Sequence, residues 1–492
     1  MRILLLPLLL VLTAATTPAD LARWKAEAAR VTIVRDDWGI AHVSGPTDAD
    51  AVFGMIYAQA EDDFPRIEAN YLTSLGRTAE AEGEEAMWQD LRARLYYPQE
   101  KLQADYAKSP GWLKKLMDAW ADGLNYYLAT HPDVKPRAIT HFEPWMALSF
   151  TEGSIGGDIE RIDLGELQKF YEGRQTVAEA ESDPEPRGSN GIAIAPKITA
   201  PGTGSLLLIN PHTSFFFRSE LHMTSDEGLN AYGAATWGQF FIYQGFNEHA
   251  GWMHTSTGAD AVDEFAYEVT LPELGPRYRY GSKWRVMEQR PVTIRYKKAD
   301  GSTGQRSFMT YYTHRGPIVR SELTSTCAPP PQSDQRICWI AFAMMDRPVP
   351  ALEQSFLRTK TRDLASFLTI AERRANSSNN TVFADDKGAI AYLHPQFIPV
   401  RDNRFDYTKL VDGSDPATDW RGDTPLDKLP NAIDPPTGWV QNTNNWPWSS
   451  AGSAGPNAKD FPKYMDVFGE NPRGVHAVSL LSGTSGWTLA KL

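Results

Sequence analysis

A metal centre, a nucleophile or a phosphate cradle each needs particular residues at particular spacings, and this chain of 492 residues offers a candidate for each. Among its ten histidines, His249 and His254 stand five apart in His-Ala-Gly-Trp-Met-His. A zinc held from one helical face prefers a separation of four, as in His-Glu-x-x-His, and that motif is absent. The spacing argues against a catalytic metal site. Gly202-Thr-Gly204 follows no strand and opens no helix, so it reads as a turn rather than a phosphate cradle. Cys327 and Cys338 flank Ala-Pro-Pro-Pro-Gln and further polar residues, a loop between two strands. With no histidine close by in sequence, they are expected to close a disulfide rather than to bind metal or catalyse. The remaining place is Arg187-Gly188-Ser189-Asn190-Gly191, where a hydroxyl sits between an acidic linker and the first strand of a β-rich region. On local composition alone, Gly-Ser-Asn there is a turn.

The elements that must position these residues fall into two halves. Arg30 to His42 is β-rich, Asp48 to Tyr71 turns helical, and Trp112 to Leu128 repeats a helical period closed by Pro132. Trp145 to Ile155 reads as a further helix, so the first third is mostly α. Residues 173–187 are polar, acidic and carry two prolines, which predicts an exposed linker. Beyond it, Ile192–Ile194, Ser205–Ile209, Phe240–Tyr243 and Val292–Tyr296 read as strands. Leu352 to Glu372 returns to helix, and Thr381–Phe383 with Ala389–Tyr392 forms a hairpin around Asp386-Lys387-Gly388. Asp412 to Asn457, rich in Pro, Asp, Asn and Trp, predicts ordered loop.

Apolar residues make up 42% and charged residues 22%, the balance of a folded globular protein of about three domains or one large layered unit. The net charge of −12 and the absence of a basic stripe argue against a nucleic-acid partner. Met1-Arg2, the apolar run Ile3–Leu12 and Thr13-Ala-Ala15 have the layout of a secretory signal peptide over residues 1–15. The run is too short to span a membrane. A periplasmic or secreted protein is expected, in a compartment where a disulfide persists.

The motifs also form a series. Val31-Thr-Ile-Val-Arg-Asp-Asp-Trp-Gly-Ile-Ala-His42 and Ala58-Gln-Ala-Glu-Asp62 open it, followed by Gly188-Ser189-Asn190 and Asn210-Pro211-His212. Next come Gly245-Phe246-Asn247-Glu248, Trp252-Met-His-Thr-Ser256 with Asp260-Ala-Val-Asp263, and Asn380-Thr-Val-Phe-Ala-Asp385. Gly438-Trp-Val-Gln-Asn442 and Glu470-Asn-Pro-Arg473 close it. In this order, over residues 31 to 475, the series resembles the penicillin acylase family of N-terminal nucleophile hydrolases. The resemblance implies an α+β fold of four layers, αββα, with two antiparallel sheets between helical layers. It implies a precursor cut between Gly188 and Ser189. Residues 16–172 and 189–492 would then be the two chains of a heterodimer, with the spacer 173–188 between them.

The same resemblance assigns roles. Ser189 is the nucleophile, and its freed α-amine, with an ordinary pKa of about 7.7–8.0, is the base. The oxyanion donors are the backbone N–H of Ser256 and the carboxamide of Asn380. His212 orients the amine and hydroxyl. Phe215, Phe216, Trp252 and His254 are expected to meet the acyl group of a small-molecule N-acyl substrate. No cofactor is expected: Asp260 and Asp263 match carboxylates that hold calcium in some relatives, but Arg161 stands near the acid of the first segment. The implied activity is hydrolysis of a side-chain amide of β-lactam, acyl-homoserine-lactone or acyl-peptide type through an acyl-serine. His212 and His254-Thr255 incline it toward the cephalosporin and acyl-homoserine-lactone acylases. The chain stops soon after Gly483-Thr-Ser-Gly486, short of the usual family length. A truncated, non-catalytic remnant or binding protein of the same fold is therefore the rival expectation.

Overall fold

The computed structural model describes residues 16–151, 157–173, 188–214, 216–271, 275–327, 336–376 and 378–492. The signal-peptide segment, residues 174–187 of the linker and Phe215 lie outside the described residues. The protein is of mixed α+β type with several sheets.

Two helices dominate the N-terminal third. Asp48–Ser74 begins at Thr47, whose side chain and that of Asp50 cap each other's backbone N–H groups. At Asp63 the backbone leaves helical geometry, two residues before Pro65. Asp63 then caps the second half by accepting from Arg66 N–H at 3.1 Å. The helix Gly111–Thr130 packs against this kinked helix, with Tyr71 and Trp120 rings 4.8 Å apart. Both side chains donate to the carbonyl of Gly238, at 3.0 and 2.9 Å, tying the helices to a turn of the sheet below.

That sheet has nine strands among the described residues. Their spatial order is Thr32–Arg35, Ala41–Gly45, Arg218–Ser225, Asn230–Thr236, Gln244–Asn247, Ala250–Ser256, Asn379–Asp385, Ile390–Leu393 and Ala432–Ile433. Neighbours run antiparallel except Ala41–Gly45 beside Arg218–Ser225, which is parallel and joins the two halves of the sequence. One face carries the main core under the helices, including Leu221, Trp252 and Phe383. The other face meets a three-stranded sheet, Trp439–Asn442, Gly188–Ile194 and Leu206–His212, through Met253, Val382, Ala193, Tyr392 and Val440. The outer side of this small sheet is covered in turn by Leu481, at the end of the helix Pro472–Leu481, and by Trp487.

Four expectations need correction. Asp412 to Asn457, read as loop, contains the strands Ala432–Ile433 and Trp439–Asn442, because pairing partners override its turn-rich composition. Trp145 to Ile155 is only a 3-10 turn, Pro144–Ser149, as far as it is described. Phe240–Tyr243 is buried but irregular, because an apolar run alone does not distinguish a strand from a packed bend. The helix across Leu352 to Glu372 breaks into Pro348–Leu357, Arg358–Lys360 and Leu364–Ala371, where Asp363 caps a new start. The disulfide Cys327–Cys338 is formed and buried, joining the ends of the expected loop.

Candidate active site

Ser189 lies in the middle strand of the small sheet. Gly188, Ser189 and Asn190 are not a turn: they are extended and pair with His212, Pro211 and Asn210. Strand side chains alternate, so Ser189 and Gly191 share the face toward the nine-stranded sheet. A Cβ on Gly191 would stand 2.9 Å from Val382 Cγ2 and 3.1 Å from Met253 Cγ, so any larger residue would have to push these side chains aside. Ser189 is 7% exposed. Its hydroxyl donates to the Gly188 carbonyl at 2.5 Å, and its N–H donates to Asn444 Oδ1 at 2.6 Å.

Asn444 is held for this contact. Its φ is +64°, a left-handed conformation that asparagine tolerates better than most residues. Its N–H donates to Asn442 Oδ1 at 3.0 Å, which fixes the turn. Its Oδ1 also accepts from Arg473 Nη2 at 3.0 Å, while Arg473 Nη1 reaches Asn190 Oδ1 at 2.8 Å and the Ser189 carbonyl at 3.4 Å. Arg473 stands in the first turn of Pro472–Leu481, whose N-cap is Asn471.

Ser256 ends the neighbouring strand of the large sheet. Thr257 N–H donates to the Ser378 carbonyl at 3.1 Å. Ladder alternation therefore turns the N–H and C=O of Ser256 away from Asn379 opposite. The Ser256 carbonyl accepts from Asn380 Nδ2 at 3.3 Å and from Asn444 Nδ2 at 3.5 Å. Asn380 itself is buried, with its Nδ2 also 3.5 Å from Thr255 Oγ1 and from Asn442 Oδ1. Among the described residues no hydrogen bond joins Asn380 to Ser189, whereas Asn444 makes one.

His212 pairs with Gly188 and so shares the sheet face of Asn190 and Asn210, opposite to the Ser189 side chain. Its Nε2 lies 3.1 Å from Asn210 Oδ1 and 3.2 Å from Asn190 Nδ2. Burial, with the Arg473 charge, holds its pKa below the usual histidine value.

Residues 30–492 match the family model for penicillin amidase. The chain belongs to the penicillin amidase family. Curated relatives include the acyl-homoserine lactone acylase PvdQ of Pseudomonas savastanoi pv. phaseolicola, 24% identical over 437 residues, covering 79% of this chain and 53% of that protein. Another is the penicillin acylase 2 proenzyme of Pseudomonas sp. strain SE83, 23% identical over 478 residues, covering 85% and 59%. The chain spans about half the length of the curated relatives it matches. Among solved structures, the thermostable penicillin G acylase from Alcaligenes faecalis aligns with a TM-score of 0.49 at 20% identity, covering 62% of this chain and 51% of that one.

Within this penicillin amidase chain the other expected site residues scatter. Trp252 and His254 alternate with Met253 and Thr255, so they face the helices rather than the small sheet that carries Ser189. Trp252 Nε1 donates to the Tyr243 carbonyl at 3.1 Å, and His254 Nδ1 lies 3.0 Å from Thr381 Oγ1. Burial, then the Arg358 charge, pulls the His254 pKa far down. His249 pairs instead with Asp386 at 3.0 Å, so the two histidines share no ligand site. Phe216 is 59% exposed, with the Arg66 guanidinium 5.3 Å from its ring.

Calcium does not fit. Asp263 accepts from Arg401 Nε at 2.8 Å and Nη2 at 3.0 Å and from Trp420 Nε1 at 2.5 Å. Arg401 is fully buried and also donates to the Asp260 carbonyl, while Arg161 reaches the Asp260 carboxylate at 3.4 Å. These carboxylates already have cations, and calcium needs six to eight oxygens. Among the described residues no group of three His, Cys, Asp or Glu could hold a metal ion, and no helix is long and apolar enough to cross a membrane.

Asn444 and Arg473, which stand beside Ser189, receive no role from the sequence, although Arg473 closes its motif series. Asn442-Thr-Asn444-Asn445 carried a signal, since clustered asparagines favour left-handed turns, but nothing local said that the turn would meet Ser189.

Proposed function

We propose that this chain is a serine amidohydrolase of the N-terminal nucleophile type, made as a precursor that cuts itself between Gly188 and Ser189. The observation that carries the reading is the Ser189 hydroxyl at 2.5 Å from the Gly188 carbonyl, beside the Asn444 contact, in a penicillin amidase chain. In the cut, Ser189 Oγ bonds to the Gly188 carbonyl carbon, the Gly188–Ser189 C–N bond breaks, and the hydroxyl proton passes to the leaving nitrogen. Water then hydrolyses the ester, leaving a Gly188 carboxylate and a free Ser189 hydroxyl and amine. In turnover the amine takes the Oγ proton as Oγ attacks a substrate amide, and returns it to the leaving amine. Water releases the acyl group from the serine.

The tetrahedral oxyanion would be met by the Ser256 N–H and a carboxamide. Asn444, whose Nδ2 already lies beside the Ser256 carbonyl, is the carboxamide the geometry favours. Asn380 would support Ser256 from behind. His212 would act through Asn190, which it shares with Arg473. Phe215 and Phe216, which follow His212 in sequence, would meet the acyl chain, with Trp252 and His254 backing the sheet. The substrate class is an N-acylated small molecule, in keeping with relatives named for acyl-homoserine lactones and penicillin. A role in quorum quenching or antibiotic metabolism would follow. The three successive cores support a four-layer arrangement. Residues 16–172 and 189–492 would be the two chains, and the protein would be exported to the periplasm or beyond.

Denaturing gels and N-terminal sequencing of purified protein test the cut, and a panel of N-acyl β-lactams, lactones and peptides tests turnover. Two fragments, one starting at Ser189, are expected, with Ser189→Ala remaining intact. A second chain starting elsewhere would overturn the mechanism. An intact, inactive wild-type chain would favour a non-catalytic binding protein.

A further inference from the structure

The Asn444 turn is clamped from beyond itself. Asn445 Nδ2 donates to Glu470 Oε1 and to Ser449 Oγ, both at 2.9 Å. Ser449 Oγ donates to Glu470 Oε2 at 2.6 Å, and Asn471 N–H donates to Glu470 Oε1 at 3.0 Å. Glu470 thus receives three donors from the turn side and the helix entry, and nothing in the cluster asks it to donate. On the other side of Asn445, Oδ1 accepts from Thr443 N–H at 3.0 Å. Asn471 Nδ2 donates to the Thr443 carbonyl at 3.1 Å. The residues flanking Asn444 are therefore both tied to Glu470 or its neighbour. The approach is close: a Cβ on Gly474 would stand 2.3 Å from Glu470 Oε1 and 2.4 Å from Asn445 Nδ2.

We propose that Glu470 is a positioning residue for the nucleophile, holding Asn445 and Ser449 so that Asn444 keeps its left-handed turn and its carboxamide on Ser189. Glu470 itself touches neither Ser189 nor Arg473 by hydrogen bond among the described residues. It acts through the turn. The carboxylate accepts from all three partners at once, Asn445 and Asn471 on Oε1 and Ser449 on Oε2. Glutamine would keep its oxygen on Asn445 and Asn471 only with its NH2 turned to Ser449, whose hydroxyl would lose its acceptor and have to turn its proton elsewhere; with the charge gone as well, the turn would lose part of the restraint that offsets its unfavourable φ.

The kinetic part of this inference rests on the amidase reading, and the structural part does not. The experiment is a double-mutant cycle on mature protein, Glu470→Gln with Asn444→Gly, read as kcat and KM on the best N-acyl substrate. Glu470→Gln should lower kcat about 10- to 100-fold with KM little changed, and should have almost no further effect once Asn444 is glycine. An equal factor in both backgrounds, or an unchanged kcat, overturns the proposal. Ser449→Ala, a milder change, should give a smaller loss in the same direction. Crystal structures of Ser189→Ala with and without Glu470→Gln provide the second reading. Displacement of the Asn444 carboxamide from the residue 189 N–H is expected, and a turn left in place overturns the proposal whether or not turnover is found. Absence of wild-type turnover, with the turn displaced, sinks the amidase reading alone.

Discussion

Two asparagines compete for the role of oxyanion donor, and deleting each in turn separates them. Asn444→Ala removes the acceptor of the Ser189 N–H at 2.6 Å and of Arg473 at 3.0 Å, together with the Nδ2 beside Ser256. Loss of one preorganised donor lowers kcat by about 10²–10³, or about 3–4 kcal/mol of transition-state stabilisation. Alanine at φ +64° adds a backbone penalty of about 1–2 kcal/mol to the folded state, which glycine avoids. Asn444→Gly should therefore lose the same kcat while melting closer to wild type than Asn444→Ala does. Asn380→Ala deletes an amide that reaches the Ser256 carbonyl, Thr255 and Asn442, not Ser189. Leaving those groups short of a partner costs about 1–3 kcal/mol of stability, and kcat should fall by no more than about 10-fold. The assay is single-substrate kinetics on cleaved material, with urea midpoints beside it. If Asn380→Ala loses about 10³ in kcat and Asn444→Gly stays near wild type, the donor has been misassigned.

Three further outcomes are expected. Chelators should leave the melting temperature unchanged and calcium should not raise it, whereas Arg401→Met, which strands the buried Asp263 carboxylate, should cost about 3–5 kcal/mol in denaturant titrations; a calcium-dependent rise in melting temperature would refute the first part. Burial pulls the pKa of His394 down from 6.5 to about 3, so its stabilising contribution is complete above pH 6.5 and is lost as pH falls toward 3, at up to about 1.4 kcal/mol per pH unit; urea midpoints between pH 4 and 7 should show this slope, flattened in His394→Gln. Gly191→Val would drive side-chain carbons into Val382 and Met253, costing about 1–3 kcal/mol and slowing turnover, and a variant as stable and active as wild type would show that the sheets can part freely.

Much of the scaffold was legible because it is local. Asp48 to Tyr71 turns helical, and the tract through Leu113, Leu116, Trp120 and Leu124 has a clean helical period. The hairpin at Asp386-Lys387-Gly388 is set by its turn. The site was legible only in part, because its decisive contacts join residues far apart. Ser189 meets Asn444 across 255 positions, and no periodicity encodes that meeting. Gly188-Ser189-Asn190, a turn on local composition alone, is extended for the same reason: strands Leu206–His212 and Trp439–Asn442 supply two ladders that outweigh local preference. Trp252 and His254 teach the opposite lesson. Two-residue alternation along Ala250–Ser256 already separates them from Met253 and Thr255, so their orientation follows once one neighbour is placed.

The parallel pairing of Ala41–Gly45 with Arg218–Ser225 crosses the proposed scission point. An uncut chain brings these two strands together as parts of one polymer, at the high effective concentration its own connection provides. Once severed, the halves would remain interlocked by that ladder and by the core shared beneath the helices, so the wound would not show in the folded protein. Denaturation would reveal it. Renaturation would then require an encounter between separate molecules, slowing with dilution and competing with aggregation of exposed strand edges. Maturation of this kind would make assembly a one-way event, with the native form persisting through slow unfolding rather than through reversible equilibrium.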